Sequence, residues 1–429
     1  MTYTLFSKTF HVLGADVPDD FGRLPANFWK QSVGLDGYDV QGSSSTDDDN
    51  KKDGDDKDGS VFFLLPSPAF QNDLDDFLRG LEFFYQGSTI FGAIASTVSS
   101  LSRARLFRYD VNDPEGIQTL ADGCVGVGMN GDIKVKTMIA QGAKPVGGVY
   151  QVVKGQESTI QAIALDEVAT EQLLDAEGGT DSDDDDDDDE DGEEDETDMK
   201  AKMQAAYAKA RIPKPVLAEA NFVMKTLSDD DQAFMRKALL VGLENGGSVG
   251  NSPSQLARLA EGKGHRFTVH QVASASMKDG SVTLSLGSVN INPGTRMRFF
   301  VRESDFAKKE VEALWMGYKR RVLSKTLQSV EKPFEPTGCF LFPTLDRGNR
   351  FFLGKSGFES DAASQYIPNV PCIGGFFCNG VIGKLDEEVS PGPGILDDTS
   401  RVHGSASGYI LFGSSKYSTS TCYCNPRSF

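Results

Sequence analysis

From Val61 to Leu65 every position is apolar, and the run ends at Pro66-Ser67-Pro68. Such a run predicts a strand covered on both faces, because a half-exposed strand alternates. From Asn72 to Tyr85 the apolar residues fall at Leu74, Phe77, Leu78, Leu81 and Phe84, the spacing of one helix face. Thr89-Ile90-Phe91-Gly92-Ala93-Ile94 predicts a second buried strand. Strand, helix and strand over so short a distance form a βαβ unit, with a right-handed crossover if the strands are parallel. The order returns near the other end. Cys339 to Phe342 is a buried run closed by Pro343, Phe358 to Tyr366 fits a short helix, and Val370 to Phe377 restarts a strand. Pro66 to Gly92 and Pro343 to Gly374 therefore read as diverged copies of one unit. The expected fold class is α/β in the mixed α+β sense: two related lobes, each with a βαβ core, and a ligand site placed by preference between them.

The middle of the chain predicts further elements. Ile133, Val135 and Thr137 alternate with polar positions as in a strand that leads into Gln141 to Gly147. Lys200 to Leu227 and Asp229 to Leu243 read as helices, with Ser228 placed to cap the second. Phe267 to Ala273 and Ser281 to Leu286 flank a turn at Lys278-Asp279-Gly280 and predict a hairpin; Arg296 to Val301 adds a strand. Ser304 is placed to cap a long helix that runs through Trp315 to about Leu327.

Charge changes this picture in two places. The chain carries a formal net charge of −20 over 429 residues. Asp181 to Asp198 holds 15 acidic and no basic residues, and Asp47 to Asp58 holds seven Asp against three Lys. With those tracts set aside the rest is close to neutral, so no basic stripe is left to bind phosphates and no nucleic-acid partner is expected. Both tracts lack the apolar content to offset the entropy of ordering and predict disordered loops. The six Cys lack the regular spacing of a secreted disulfide scaffold and read as reduced thiols, so a cytoplasmic or nuclear location is expected. No stretch approaches the roughly 20 apolar residues that span a bilayer, so no membrane partner is expected.

Motifs for chemistry are few. Gly126 to Gly131 spells G-x-G-x-x-G, but the residues after it alternate like a strand, where a dinucleotide site needs a helix. It reads as a turn between strands. His265 and His270 are five apart on a predicted strand and face opposite ways, and Cys422-Tyr423-Cys424 has no second pair, so no metal site is expected. Cys372 and Cys378, either of which could be imagined beside His403 as a thiol and base, read as small core residues. No catalytic residue, no cofactor and hence no enzymatic activity is expected. The glycines of Gly374 to Gly383 lie at the end of a predicted strand, where a ligand or another chain can approach the backbone closely. Arg347, at the matching end of the Cys339 strand, suits bidentate capture of a carboxylate or a pairing with one of the many surface acids.

Gly374-Gly375-Phe376-Phe377-Cys378-Asn379-Gly380-Val381-Ile382-Gly383 resembles the G-F-F-x-N-G-E-I-G signature of FIST domains, named for F-box and intracellular signal transduction proteins. Phe340-Leu341-Phe342 with Arg347-Gly348 is similar to the family's apolar strand and C-x-x-R-G continuation, Gln141 to Gly147 to its linking Q-G-x-x-P-x-G segment, and His403 to Phe412 to its closing histidine and strand. The resemblance implies a FIST N-like part at 59–132 and a FIST C-like part at 137–415 that contains an acidic insertion at 177–198, between a poorly ordered 1–58 and a tail at 416–429. It implies a signal-transduction module that binds an amino acid-like small ligand or docks a protein, with Arg347, Gly348, Gly374, Gly375, Phe376, Phe377, Asn379, Gly380 and His403 at the site. Val381 stands where the family has Glu. The F-F-x-N-G spelling resembles the F-box-only branch, which implies ubiquitin-ligase subunits as alternative partners in protein degradation, although Met1 to Gln41 lacks the helical period of an F-box.

Overall fold

The computed structural model describes residues 6–17, 26–35, 59–96, 104–110, 116–166, 212–244, 267–285, 291–328, 334–385 and 400–414. Both acidic tracts, residues 200–211, His265, Cys422 and Cys424 lie outside them. The chain divides into two compact units. The first is Met1–Gly142 with Lys308–Val389 and Asp398–Phe429; the second is Ala143–Ala307 with Ser390–Asp397.

Two sheets organise the first unit. One has six strands in the order Phe6–Val12, Cys124–Asn130, Val61–Pro66, Thr89–Ile94, Gly380–Gly383 and Arg401–His403; the other has four, Ile373–Gly375, Gly338–Pro343, Ser407–Gly413 and Lys134–Ala140. The apolar run Val61–Pro66 pairs in parallel with Thr89–Ile94, and the helix Leu74–Phe84 lies between them in sequence. Gly338–Pro343 pairs in parallel with Ile373–Gly375, with the helix Phe358–Tyr366 between them. The fully apolar runs are buried on both faces because the sheets face each other: Val61, Phe91, Ala93 and Val381 of one share a cluster with Phe342 and Ile410 of the other. Phe63 stacks on Phe91, Phe340 and Phe342 with centroids 5.3, 5.6 and 6.0 Å apart. On the far side of the six-stranded sheet Phe62 meets Tyr85, and Phe77 meets Trp29. On the far side of the other sheet Trp315 packs against Tyr409 and Tyr366.

One pairing scheme recurs in the two sheets when Pro66 is set on Pro343. Leu64 pairs with Gly92 as Leu341 does with Gly375. Ala95 donates its N–H to Pro66 O as Cys378 does to Pro343 O, both at 2.9 Å. Ser67 donates to Gly123 O at 2.8 Å and Thr344 to Ala406 O at 2.9 Å. Both glycines are required by close approach, since a Cβ on Gly92 would fall inside Leu64 O and one on Gly375 inside Leu341 O. The glycine that matches Gly92 is therefore Gly375, one position beyond the Gly374 that the sequence spacing suggested.

Both parallel pairs sit in the first unit. The second unit is a closed antiparallel ring. Ala143–Gln156, Thr159–Leu165, Val282–Leu284, Phe267–Ala275, Leu240–Glu244 and Arg296–Arg302 pair in turn and return to the start, with Lys214–Pro215 added outside. Val241, Met297, Phe299, Val282, Ile160 and Val152 of the ring share a core with Val216 and Val223 of the helix Val216–Thr226.

Six local expectations change. Gly126 to Asn130, read as a turn between strands, lies within the strand Cys124–Asn130, and the helix read over Lys200 to Leu227 is, among the described residues, Val216–Thr226, preceded by the strand Lys214–Pro215. The helix read over Asp229 to Leu243 ends at Lys237, and Leu240–Glu244 is a strand. Its four apolar-or-Gly positions suit a strand between two others as well as they suit a helix face. Val370 to Phe377 shrinks to the three-residue strand Ile373–Gly375. The helix Ser304–Gln328 starts on Ser304, whose Oγ has no partner, so Ser304 is not its cap. Within the N-terminal segment expected to be poorly ordered, Phe6–Val12 pairs along its length with Cys124–Asn130, and Trp29, Val33 and Leu35 are buried. Ser228 does cap Asp229–Lys237, accepting from Asp231 N at 3.3 Å. The hairpin of Phe267–Ala275 with Val282–Leu284 forms as expected.

Candidate functional site

A cavity of about 310 Å³ opens where the parallel pair Gly338–Pro343 and Ile373–Gly375 ends. Pro343 closes the first strand, the chain turns through the short 3-10 helix Leu345–Arg347, and the loop beyond it folds back before the helix Phe358–Tyr366. One wall is Ile373, Gly374, Gly375, Phe376 and Phe377; another is Arg347, Gly348, Asn349, Phe352 and Lys355; Leu341, Pro343, Gly357, Phe358, Glu359 and Ser360 complete it. The carboxyl ends of parallel strands are where open α/β sheets hold ligands, because side chains and loops diverge there and leave a crevice. Leu353 in the loop takes φ 55° and Gly354 and Gly357 φ 86° and 70°, so the loop is held in backbone conformations that favour glycine.

Polar chemistry at the cavity is dominated by one buried cluster. Arg347 is 2% exposed and Glu359 5%. Arg347 Nε donates to Glu359 Oε1 at 2.8 Å, and Nη2 lies 2.7 Å from the same oxygen as an ion-pair contact. Tyr409 donates to Glu359 Oε2 at 2.5 Å, and Arg347 Nη1 reaches Gln141 O at 3.4 Å. Glu310 accepts from the backbone N–H groups of Gln141 and Gly142. Two carboxyl groups thus surround one guanidinium. Burial raises the pKa of Glu310, with Arg347 and the two backbone amides pulling the other way and Glu359 adding to the rise. Burial and Glu359 raise Tyr409 well above an ordinary phenol. The sequence offered Arg347 a ligand carboxylate or a surface acid; its partner is instead the buried Glu359, and the planar face it leaves lies 5.8 and 5.6 Å from the rings of Phe351 and Phe352.

Six of the nine site residues expected from the sequence meet here: Arg347, Gly348, Gly374, Gly375, Phe376 and Phe377 all line the cavity. Asn379, Gly380 and His403 do not. Asn379 Nδ2 donates to Ala95 O at 3.2 Å, and Gly380 pairs with Ile94. His403 is 1% exposed, its Nε2 is 3.2 Å from Gly383 O, and burial lowers its pKa to about 4, so it is neutral. Val381, where the resemblance implies Glu, is fully buried between the sheets and belongs to the core. Glu359, Phe352, Phe358 and Lys355 were not expected. Glu359 carried a readable signal: it shares a helix face with Ala362, Ala363 and Tyr366, and an acid on an apolar face needs a buried partner.

Burial holds Cys378 and Cys339, two of the described thiols, protonated. Cys378 is buried, its Sγ donates to Pro343 O at 3.5 Å, and burial raises its pKa to about 12. Cys339 is likewise raised to about 12 by burial. Cys372, expected in the core with Cys378, is exposed. Among the described residues no group of three or more His, Cys, Asp or Glu could hold a metal ion, and no helix is long and apolar enough to cross a membrane.

Residues 15–166 match the family model of the FIST N domain. FIST domains are a family of signal-transduction sensory domains. The matched residues begin before and end beyond the 59–132 inferred from the motifs. No curated protein matches the chain.

Proposed function

We propose that this chain is a non-enzymatic sensory module of the FIST type that holds a small ligand in the cavity between Gly374 and Phe352. The observation that carries the reading is the convergence of the glycine strand end and the Arg347 loop, far apart in sequence, on one cavity. A Cβ on Gly374 would meet nothing within 4 Å, so a ligand can come up against the bare backbone there. The Phe352, Phe358, Phe376 and Phe377 rings offer apolar and stacking surface, which suits a small molecule with a flat apolar body. Arg347, neutralised by Glu359, serves as a wall that holds the loop and does not supply a free positive charge. In the same reading the two parallel strand pairs are diverged copies, of which the second kept its pocket and the first filled it: Phe70, in the place of Arg347, packs edge-on against Phe77.

A chain purified gently carries its ligand and unfolds at a higher temperature than the same chain after solvent extraction and refolding, since a ligand bound only to the folded state stabilises it. Adding the extract back restores the higher midpoint. Equal midpoints before and after extraction, with no response to the extract, would sink the reading.

A further inference from the structure

The two sheets differ at one matching edge. In the six-stranded sheet Thr89–Ile94 is flanked on its far side by an antiparallel strand, with Gly380, Val381 and Ile382 opposite Ile94, Ala93 and Gly92. In the four-stranded sheet the matching strand Ile373–Gly375 is the last, and among the described residues no strand pairs with its far side. Cys339 N–H donates to Cys372 O at 3.0 Å, so the alternation of a parallel pair turns the N–H and C=O of Ile373 and Gly375 away from their neighbour. Gly375, Phe376 and Phe377 are exposed, the two phenylalanines by 40% and 46%. Neither a charged residue nor a proline occurs from Cys372 to Phe377 to blunt the edge.

We propose that Ile373–Phe377 is a strand-addition site: it takes an extended, uncharged segment of another protein, antiparallel, in the place that Gly380–Gly383 occupies beside Thr89–Ile94. The occupied edge defines the chemistry of the occupant. Its strand reads Gly-Val-Ile-Gly and gives main-chain hydrogen bonds and small apolar side chains, with no charge. Main-chain pairing supplies the affinity in this mode, and apolar side chains that cover Phe376 and Phe377 supply the selectivity. The proposal does not depend on the cavity holding a ligand.

The test is hydrogen–deuterium exchange read at single amides of the full chain, alone and with a capped, uncharged pentapeptide of the sequence 379–383. In the chain alone, at low concentration, Ile373 and Gly375 exchange fast while Gly92 is protected. The peptide slows Ile373 and Gly375. A peptide N-methylated at its isoleucine, the residue that faces Gly92 in the occupied edge, binds about tenfold more weakly, because a main-chain donor is lost and its acceptor left bare. Equal effects of the two peptides, or no slowing by either, overturn the proposal. Slow exchange in the peptide-free chain also overturns it: at all concentrations it assigns the edge to a segment of this chain, and only at high concentration to a second copy.

Discussion

Replacement of Glu359 by Ala leaves the Arg347 guanidinium buried without its acid. Arg347 has 1% of its side chain exposed and Glu359 6%, so water cannot replace the lost partner. Removing one member of such a pair costs about 3–5 kcal/mol, most of it the uncompensated charge. The Tyr409 hydroxyl loses its acceptor as well, which adds to the loss. At roughly 2–4 °C per kcal/mol for a unit of this size, the midpoint falls by about 6–20 °C. The assay is selective, since the protein has two Trp, Trp29 and Trp315, and both belong to the first unit. Their fluorescence therefore follows that unit alone. A double variant, Arg347→Met with Glu359→Leu, removes both charges at similar volume and recovers part of the loss, as apolar replacement of buried ion pairs does, while Tyr409 still lacks its acceptor and Glu310 the guanidinium that offsets its burial. A Glu359→Ala chain within about 1 kcal/mol of the parent would refute the reasoning, because losses that small belong to solvent-exposed pairs.

Two further outcomes follow from the geometry. His403 has a folded pKa of about 4 against 6.5 in the unfolded chain. The unfolded state thus binds more protons between these values, and the contribution is complete above pH 6.5 and lost as pH falls toward 4, about 3 kcal/mol in all. His403→Gln flattens that part of the pH–stability curve of the first unit, and an unchanged slope would contradict the assignment. Gly375→Ala forces a Cβ into Leu341 O and destabilises by roughly 2–3 kcal/mol in urea titration, whereas Gly374→Ala stays within about 0.5 kcal/mol. Equal effects of the two would contradict the register of Ile373–Gly375.

Buried runs were the most legible part of the chain. Val61 to Leu65 and Cys339 to Phe342 are apolar at every position because each lies in a sheet covered on both faces, and local pattern suffices to find such strands. The closed ring of the second unit was not legible, since its partners, such as Ala143–Gln156 and Arg296–Arg302, are far apart and local pattern carries no pairing. Leu240–Glu244 shows the same limit: a short apolar run reads as helix or strand until its neighbours are known. At the cavity, glycine placement and Arg347 marked loops that line it. The pairing of Arg347 with Glu359 was hidden, because it depends on where the helix Phe358–Tyr366 seats on the sheet. The resemblance to FIST sequences placed His403 at the site, whereas in this chain it is a neutral core residue.

Native mass spectrometry of the gently purified chain beside its Gly374→Leu variant tests the sensory reading most directly. The leucine side chain projects into open space at the cavity wall and leaves the Leu341 contact of Gly375 untouched. The account predicts a discrete small-molecule adduct on the parent chain, absent from a variant with the same Trp-fluorescence unfolding midpoint after extraction. A parent chain with no adduct, or the same adduct retained by the variant, would contradict it.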